Sequence, residues 1–423
     1  MKESRLSGLI GHPLGHSVSP FIHEYLGREL GFEVKYDKFD IEENEIHDSV
    51  KSFLDKGFAG LNVTIPYKAR IMDELVSVDE AAMDIDAVNT IVNLRNGFKG
   101  YNTDYLGLKR ELEYYGIDVR GKNVVILGAG GASRAVKYMC RLLGAKQILQ
   151  FNRTAGKDGA LSYEEALKLD KEQKQIVFQT TSVGLFPNTE AAPIMDDSFY
   201  DGVKYGIDII YNPLETLFMR KVKEHGGEAH NGLRMLVYQA IEAFKLFYNI
   251  GDINPSIEEN CYLNLLFSMN KNIVLCGMMG CGKSTTGRKL TDGTDAVFVD
   301  TDEYIENKEG MSINDIFAQK GEEAFRKMEH EALGELLLKY RNSNSKVVYS
   351  LGGGMCSKMN MDLIKQLGYV CYIKCDTDTL CKRLENDTSR PLLKDSDLRT
   401  KIDTLLNMRN DLYMEACDEV ISN

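Results

Sequence analysis

At 423 residues, with 27% charged and 43% hydrophobic side chains, the chain is long enough for two or three domains with their own cores. Its net charge of −12 excludes generic binding to nucleic acid or anionic membranes, so an anionic substrate needs local Lys and Arg to hold it. Nine cysteines, with no C-x-x-C pair, fit a reducing cytoplasm rather than a disulfide framework or a zinc site. The first residues, MKESRLSGLIGHPLGHS, hold no apolar core before a cleavage site, and no apolar run approaches membrane-spanning length. A cytoplasmic location is expected.

The first predicted strand covers residues 6–10. The loop at 11–20 follows, with His12, His16, Ser17 and Ser19. It either presents hydroxyls to a polyol or is a turn whose serines cap the next helix. Residues 60–68, GLNVTIPYK, form a β-rich run ending at Pro66 with Lys68 just beyond. Residues 87–92, AVNTIV, predict another short strand, and YNTD at 101–104 opens the next helical stretch. Strands alternating with helices point to an α/β fold.

Residues 122–128, KNVVILG, lead into Gly128-Ala129-Gly130-Gly131-Ala132-Ser133-Arg134. The helix that follows has an apolar stripe at Ala132, Ala135, Val136, Met139, Cys140 and Leu143 and stops at Gly144, with a strand at 148–151 beyond. Strand, glycine loop, helix and strand make a dinucleotide-binding unit, with small Ser133 in place of the third glycine. An NAD site places a carboxylate at the end of the second strand. Here stand Asn152, Arg153 and Thr154, with Lys157 close behind. A guanidinium suits a 2′-phosphate, so NADP is the predicted cofactor; the alternative is a solvated surface arginine.

With these pieces placed, the first 268 residues or so resemble shikimate dehydrogenase. The resemblance is carried by GHSVSP at 15–20, NVTIPYK at 62–68, AVNT at 87–90, NTD at 102–104, GAGGASRA at 128–135, NRT at 152–154, TSVG at 181–184, YNP at 211–213 and GLRMLVYQ at 232–239. It implies a split substrate domain, residues 1–105 completed by 232–268, around a Rossmann-like NADP domain at 106–231. Substrate hydroxyls and carboxylate would be met by Ser17, Ser19, Thr64, Asn89, Asp104, Tyr211 and Gln239, with Lys68 and Asp104 as the catalytic pair. NADP would be met by Gly128, Gly130, Gly131, Ala132, Asn152, Arg153, Thr154, Thr181 and Ser182. Reducing a ketone by hydride leaves an alkoxide, which needs a placed proton donor, and a lysine beside a carboxylate can serve. On sequence alone the same two residues also read as a surface ion pair worth little.

Residues 271–286, KNIVLCGMMGCGKSTT, read as a strand, a glycine loop and the start of a helix, and Gly277-x-x-x-x-Gly282-Lys283-Ser284 fits the P-loop pattern at every fixed position. Such glycines let backbone N–H groups surround phosphate oxygens, while the lysine reaches the β- and γ-phosphates and the serine ligates magnesium. A nucleoside triphosphate is therefore expected. Downstream come AVFVDTD at 296–302, Phe325-Arg326, Gly352-Gly353-Gly354, RPLL at 390–393 and Arg409-x-x-x-Tyr413. Together these resemble shikimate kinase over residues 271–423, a P-loop fold of the nucleoside-monophosphate-kinase type. The resemblance implies ATP held by Gly277, Gly280, Cys281, Gly282, Lys283, Ser284, Thr285 and lid Arg390, with Mg2+ on Ser284 and Asp300. Asp302 would bind a shikimate hydroxyl and accept its proton. Arg326 and Arg409 would clamp the carboxylate, the triple glycine would offer backbone contacts, and Lys283 joins Asp302 as catalytic.

Cys281 reads either as oxidisable near phosphate or as a small buried filler. The chain ends on the expected last strand, where the kinase pattern continues into a helix, and the junction at 267–271 has no flexible spacer. The expected activity is bifunctional: reduction of 3-dehydroshikimate with NADPH, then phosphorylation of shikimate with ATP. The rivals are a quinate/shikimate dehydrogenase fused to a kinase for another hydroxy acid, and a nucleotide sensor built from inactive domains. Retention of Lys68, Asp104, Lys283 and Asp302 argues against the sensor.

Overall fold

The computed structural model describes residues 5–15, 17–270, 272–341, 343–385 and 398–422. His16 and the whole 390–393 stretch with Arg390 lie outside the described residues. The chain divides into two compact units, Met1–Tyr262 and Leu263–Asn423.

The first unit opens with β1 (Arg5–Gly11), α1 (Ser19–Leu30), β2 (Val34–Asp40), α2 (Ile46–Asp55), β3 (Gly60–Val63), β4 (Ser77–Val78), α3 (Glu80–Ile85), β5 (Thr90–Asn93) and β6 (Phe98–Tyr101). These strands form a six-stranded sheet in the order β2-β1-β3-β5-β6-β4. β1 runs parallel to β2 and β3, whereas β3–β5 and β5–β6 are antiparallel. Every residue of β3 and the last five of β1 are buried, the signature of strands covered on both faces. α1 takes Pro20 in its first turn and stops at Gly31, whose φ of 73° supplies the left-handed cap.

Two expectations shift here. The run 60–68 is a strand only to Val63: Pro66 has no N–H for the ladder, and the chain turns with Tyr67 N–H on Thr64 O at 2.9 Å. The strand expected at 87–92 covers Thr90–Asn93 instead. Val88 N–H donates to Lys68 O at 2.6 Å, so residues 87–89 lie against the Lys68 turn, and Asn89 enters the site described below.

The unit continues with α4 (Asp104–Tyr115), β7 (Asn123–Leu127), α5 (Gly131–Leu142), β8 (Gln147–Asn152), β9 (Leu161–Ser162), α6 (Tyr163–Ala166), β10 (Ile176–Gln179), β11 (Tyr205–Asp208), α7 (Leu217–Glu224), β12 (Glu228–His230) and α8 (Leu233–Tyr248). Its second sheet is wholly parallel, in the order β12-β11-β10-β7-β8-β9. The order reverses between β7 and β10, the place where doubly wound sheets bind ligands beyond their strand ends. α8 packs on α4 and returns to α1, β3 and β5 of the first sheet. Gly107 permits the close α4–α8 crossing: a Cβ there would lie 2.6 Å from Met235 O. The last helix, α9 (Pro255–Met269), contains the division between the units.

The second unit holds β13 (Asn272–Cys276), α10 (Lys283–Thr291), β14 (Val297–Asp300), α11 (Thr301–Glu309), α12 (Ile313–Tyr340, with non-helical backbone at Gly321), β15 (Val347–Ser350), α13 (Met361–Leu367), β16 (Tyr369–Lys374), α14 (Thr377–Leu384), α15 (Leu398–Ala416) and β17 (Glu419–Ser422). Its parallel sheet has the order β14-β15-β13-β16-β17. β13 is central, and the glycine loop springs from its C-terminal end at the switch point between β15 and β16.

Candidate functional sites

In the first unit the turn after β3 and the start of α4 place Lys68 against Asp104, with Nζ donating to Oδ2 at 2.6 Å. The carboxylate is 11% and the lysine side chain 25% exposed, so this is a half-buried pair rather than a solvated one. Asp104 Oδ1 takes a hydrogen bond from Asn89 Nδ2 at 2.8 Å. The Asn89 carbonyl oxygen in turn accepts from Thr103 N–H at 2.7 Å and Thr90 Oγ1 at 3.0 Å. Gln239, on α8, approaches Thr103 Oγ1 at 3.4 Å. Lys68, Asn89, Asp104 and Gln239 are thus brought together from two β–α turns and the returning helix.

The other predicted residues make local contacts of their own. Ser17 Oγ accepts Ser19 N–H at 3.2 Å, satisfying a free donor at the start of α1, and Ser19 is buried. Thr64 adjoins the β1 loop, since a Cβ on Gly11 would meet its methyl group at 2.5 Å. Tyr211 follows β11 on a loop anchored by buried Asp208, which accepts from Ile210 N–H and Thr216 Oγ1 at 2.9 and 2.7 Å. Burial pushes the Asp208 carboxyl up to about 7 and also raises the Tyr211 phenol.

At the nucleotide loop Gly128 has φ 122°, and a Cβ there would strike Thr180 Oγ1 at 2.5 Å. At Gly130 and Gly131 a Cβ would meet nothing within 4 Å, which leaves backbone N–H groups open at the N-terminus of twelve-residue α5. Ser133 is buried and its Oγ donates to Gly130 O at 2.6 Å while receiving Gln150 Nε2 at 3.3 Å, so the hydroxyl braces the loop that a glycine would leave unbraced. Asn152 Nδ2 holds Thr154 O at 3.2 Å, and the Arg153 side chain is exposed beside them. Thr181 Oγ1 accepts Val183 N–H at 3.1 Å and Ser182 O accepts Leu185 N–H at 3.2 Å on the loop after β10, across the switch point.

In the second unit Gly277, Gly280 and Gly282 all have positive φ, at 136°, 79° and 99°. Buried Lys283 donates to the loop carbonyls of Gly277 and Met278, each at 2.9 Å. Cys281 is fully buried, as a small filler of the loop would be, and Thr285 faces outward from the first turn of α10. Ser284 Oγ donates to Asp300 Oδ2 at 2.7 Å, while Asp300 Oδ1 caps α11 through Asp302 N–H at 3.0 Å. A hard divalent cation takes such an oxygen pair together with phosphate oxygens and water rather than a protein cage. Among the described residues no group of three or more His, Cys, Asp or Glu forms such a cage.

The triple glycine is the floor of a charged cluster. A Cβ on Gly352 would lie 2.4 Å from Asp302 Oδ1, and one on Gly354 would lie 2.3 Å from Arg326 Nη1. Arg409 Nη1 donates to Gly353 O at 3.0 Å, and the Tyr413 hydroxyl donates to the same carbonyl. Asp302, Arg326 and Arg409 therefore converge on three consecutive residues that carry no side chain. Two participants escape the sequence reading. Glu329, 1% exposed, binds Arg326 Nη1 at 2.7 Å, and burial holds its carboxyl above the usual range against the pull of that arginine. The spacing Arg326-x-x-Glu329 on one helix was the available signal. Arg383, on α14, places Nη1 3.3 Å from Gly280 O at the phosphate loop, and nothing in the local sequence marks it.

Comparison with known proteins adds five findings. The family model described as shikimate kinase matches residues 279–423, and that described as shikimate dehydrogenase substrate binding domain matches residues 9–91. The chain is 36% identical over 283 residues to the shikimate dehydrogenase (NADP(+)) of Caldicellulosiruptor bescii, across 63% of this chain and 96% of the relative. Among solved structures it is similar to a chorismate mutase/shikimate 5-dehydrogenase fusion protein from Clostridium acetobutylicum, with TM-score 0.59 and 35% identity over 62% of this chain and 97% of that one. It is also similar to the shikimate 5-dehydrogenase of Thermus thermophilus in complex with NADP(H) and shikimate, with TM-score 0.54 and 30% identity over 61% and 98%.

Proposed function

The chain belongs to the shikimate dehydrogenase family and carries a shikimate kinase domain after it, and from that premise we propose how its residues divide two consecutive reactions. The protein is a bifunctional enzyme of the shikimate pathway: it reduces 3-dehydroshikimate to shikimate with NADPH, and phosphorylates shikimate to shikimate 3-phosphate with ATP. The observation that carries this reading is that Lys68, Asn89 and Asp104, distant in sequence, bond to one another in the first unit, while Asp302, Arg326 and Arg409 face one triple glycine in the second. The division of residues is 1–105 with 232–268 for the hydroxy-acid substrate, 106–231 for NADP and 271–423 for the kinase.

In the reductase, bound NADPH supplies the hydride. Lys68 gives a proton to the alkoxide oxygen that hydride addition creates, and Asp104 holds the ammonium 2.6 Å away in the orientation to do so. Ser17, Ser19, Thr64, Asn89, Tyr211 and Gln239 surround the remaining hydroxyls and the carboxylate. Gly128, Gly130, Gly131 and Ala132 offer backbone to the pyrophosphate, with Thr181 and Ser182 on the opposite loop, while Asn152, Arg153 and Thr154 take the 2′-phosphate. A reversal of charge tests the last point. Arg153→Asp is expected to lower kcat/KM for NADPH about ten- to a hundredfold while leaving that for NADH largely unchanged, since a charge-assisted contact is worth about 1.5–3 kcal/mol. Equal kcat/KM for the two cofactors in the unaltered protein would refute the assignment.

In the kinase, Asp302 receives the proton of the attacking shikimate hydroxyl, and Arg326 and Arg409 hold the carboxylate above the glycine floor. Gly277, Gly280, Cys281, Gly282, Lys283, Ser284 and Thr285 cradle ATP, with Arg390 as the lid residue. Ser284 and Asp300 would hold Mg2+, whose charge offsets that of the phosphates. Arg326→Ala should raise KM for shikimate roughly ten- to a hundredfold and change KM for ATP little, because it removes a charge-assisted contact to one substrate only. A shikimate KM that stayed the same would place the carboxylate elsewhere. A cytoplasmic location is supported by nine cysteines of which none is in a disulfide. One reaction tests the whole reading: dehydroshikimate, NADPH and ATP incubated with the chain should yield shikimate 3-phosphate by mass. Accumulation of shikimate alone, or no turnover, would overturn the pairing of activities.

A further inference from the structure

Asp104 ends a buried chain of side chains whose donors all point one way. The Tyr36 hydroxyl donates to Asn62 Oδ1 at 2.8 Å, Asn62 Nδ2 to Thr90 Oγ1 at 3.2 Å, Thr90 Oγ1 to Asn89 Oδ1 at 3.0 Å, and Asn89 Nδ2 to Asp104 Oδ1 at 2.8 Å. All five residues are buried, and Thr90 is wholly inaccessible. Asn62 and Thr90 are directly opposed across the antiparallel β3–β5 pair, so the backbone itself sets their spacing.

The direction of the chain follows from what each group can do. A phenol in this chain keeps its proton: burial raises Tyr36 far above its usual range, and its ring is stacked on His23 with centroids 4.4 Å apart. Its O–H claims the Asn62 carbonyl oxygen, which turns the Asn62 NH2 toward Thr90. A hydroxyl has one proton, and Thr90, already accepting from Asn62, spends its own on the Asn89 carbonyl. That carbonyl also accepts Thr103 N–H, so the Asn89 NH2 can only face Asp104 Oδ1 and Thr103 Oγ1. The Asp104 oxygen left over is Oδ2, the one that binds Lys68.

We infer that Thr90 is a positioning residue for ketone reduction: its hydroxyl, acting with Thr103 N–H on the Asn89 carbonyl, holds in place the amide that binds Asp104 Oδ1 and leaves Oδ2 to Lys68. Tyr36 and Asn62 set the hydroxyl in turn. None of the three need touch substrate. The inference rests on the reading of Lys68 and Asp104 as the catalytic pair.

The test uses the full chain, with the stoichiometry of NADPH binding measuring the amount of folded first unit. Thr90→Val keeps the shape and removes the hydroxyl, and should lower kcat for ketone reduction about tenfold or more, since small misplacements of reacting groups are costly. KM for NADPH should not move, and Thr90→Ser should recover most of the rate. Tyr36→Phe, the second variant should Thr90→Val fail to fold, is expected to lower the same kcat by a smaller factor. Wild-type kcat in both Thr90→Val and Tyr36→Phe overturns the inference, as does an equal loss in Thr90→Val and Thr90→Ser, which would mark a packing role. Lys68→Ala run alongside separates the two failures: if it too retains ketone reduction, the catalytic pair itself is wrong.

Discussion

Replacing Lys68 with Ala will remove ketone reduction from this chain and leave its phosphorylation of shikimate in place. The expected fall in reduction is about 10²- to 10⁴-fold, the range supplied by a positioned proton donor. The partner of Lys68, Asp104, makes the loss specific. Asp104 remains, still held by Asn89 at 2.8 Å, but now a carboxylate shielded from solvent without its cation. Some loss of thermal stability in the first unit is therefore expected as well, and Lys68→Met, which keeps the side-chain length, separates this from the chemistry. Asp104→Asn should also be slow, because the amide no longer draws the ammonium into place. NADPH binding, followed by the quenching or shift of nicotinamide fluorescence, should persist in all three variants, since no atom of Lys68 or Asp104 belongs to the glycine loop at 128–131. Near-normal reduction by Lys68→Met, or loss of phosphorylation together with reduction in a folded protein, would defeat the assignment.

The parts of this molecule that were legible in its sequence are those whose physics is local. A P-loop needs positive φ at particular glycines and a lysine at a fixed offset, and Gly277, Gly280, Gly282 and Lys283 all lie within one seven-residue segment. The α5 stripe is legible for the same reason: Ala135, Val136, Met139 and Cys140 recur at helical spacing and are buried. Where meaning depends on a distant partner, the pattern misleads. Ala87 and Val88 adjoin the β-forming run Thr90-Ile91-Val92, yet the strand starts only at Thr90, because the Lys68 turn claims Val88 N–H. Thr90 reads as an ordinary strand threonine until Asn62, 28 positions earlier, is seen opposite it. Glu329 reads as a helix charge until its neighbours bury it to 1% exposure beside Arg326. Arg383 meets Gly280 across 103 positions, a distance no local period spans. Helix periodicity, turn chemistry and motif spacing all act within about a dozen residues, whereas a polar network is assembled by topology.

Replacing Lys283 with Ala should produce the mirror image of the Lys68 variant, with shikimate phosphorylation lost and ketone reduction unchanged. The side chain is buried in the second unit, and its ammonium already closes on two carbonyls of its own loop, Gly277 O and Met278 O at 2.9 Å each. Those carbonyls and the positive-φ glycines give the loop its curvature, so the lysine both shapes the cradle and supplies its charge. Phosphoryl transfer depends almost wholly on positioning and on stabilising charge spread over the transferred oxygens. Removal of one such preorganised charge is expected to lower kcat about 10²- to 10³-fold, with a higher KM for ATP besides. Shikimate should still bind: Asp302, Arg326 and Arg409 face the triple glycine, and none of them bonds to Lys283. Isothermal titration of shikimate into Lys283→Ala, compared with Arg326→Ala, checks that separation directly, since the first should keep the binding heat and the second lose it. Lys283→Arg is the sharper variant, because it retains the charge but carries a planar fork where a compact ammonium fits between two carbonyls, and it too should be severely slowed. A Lys283→Ala protein that phosphorylated shikimate at an ordinary rate would show that the loop at 277–284 is not the ATP site. One that lost ketone reduction as well, while folded, would show that the two reactions share a component that no motif in either unit reveals.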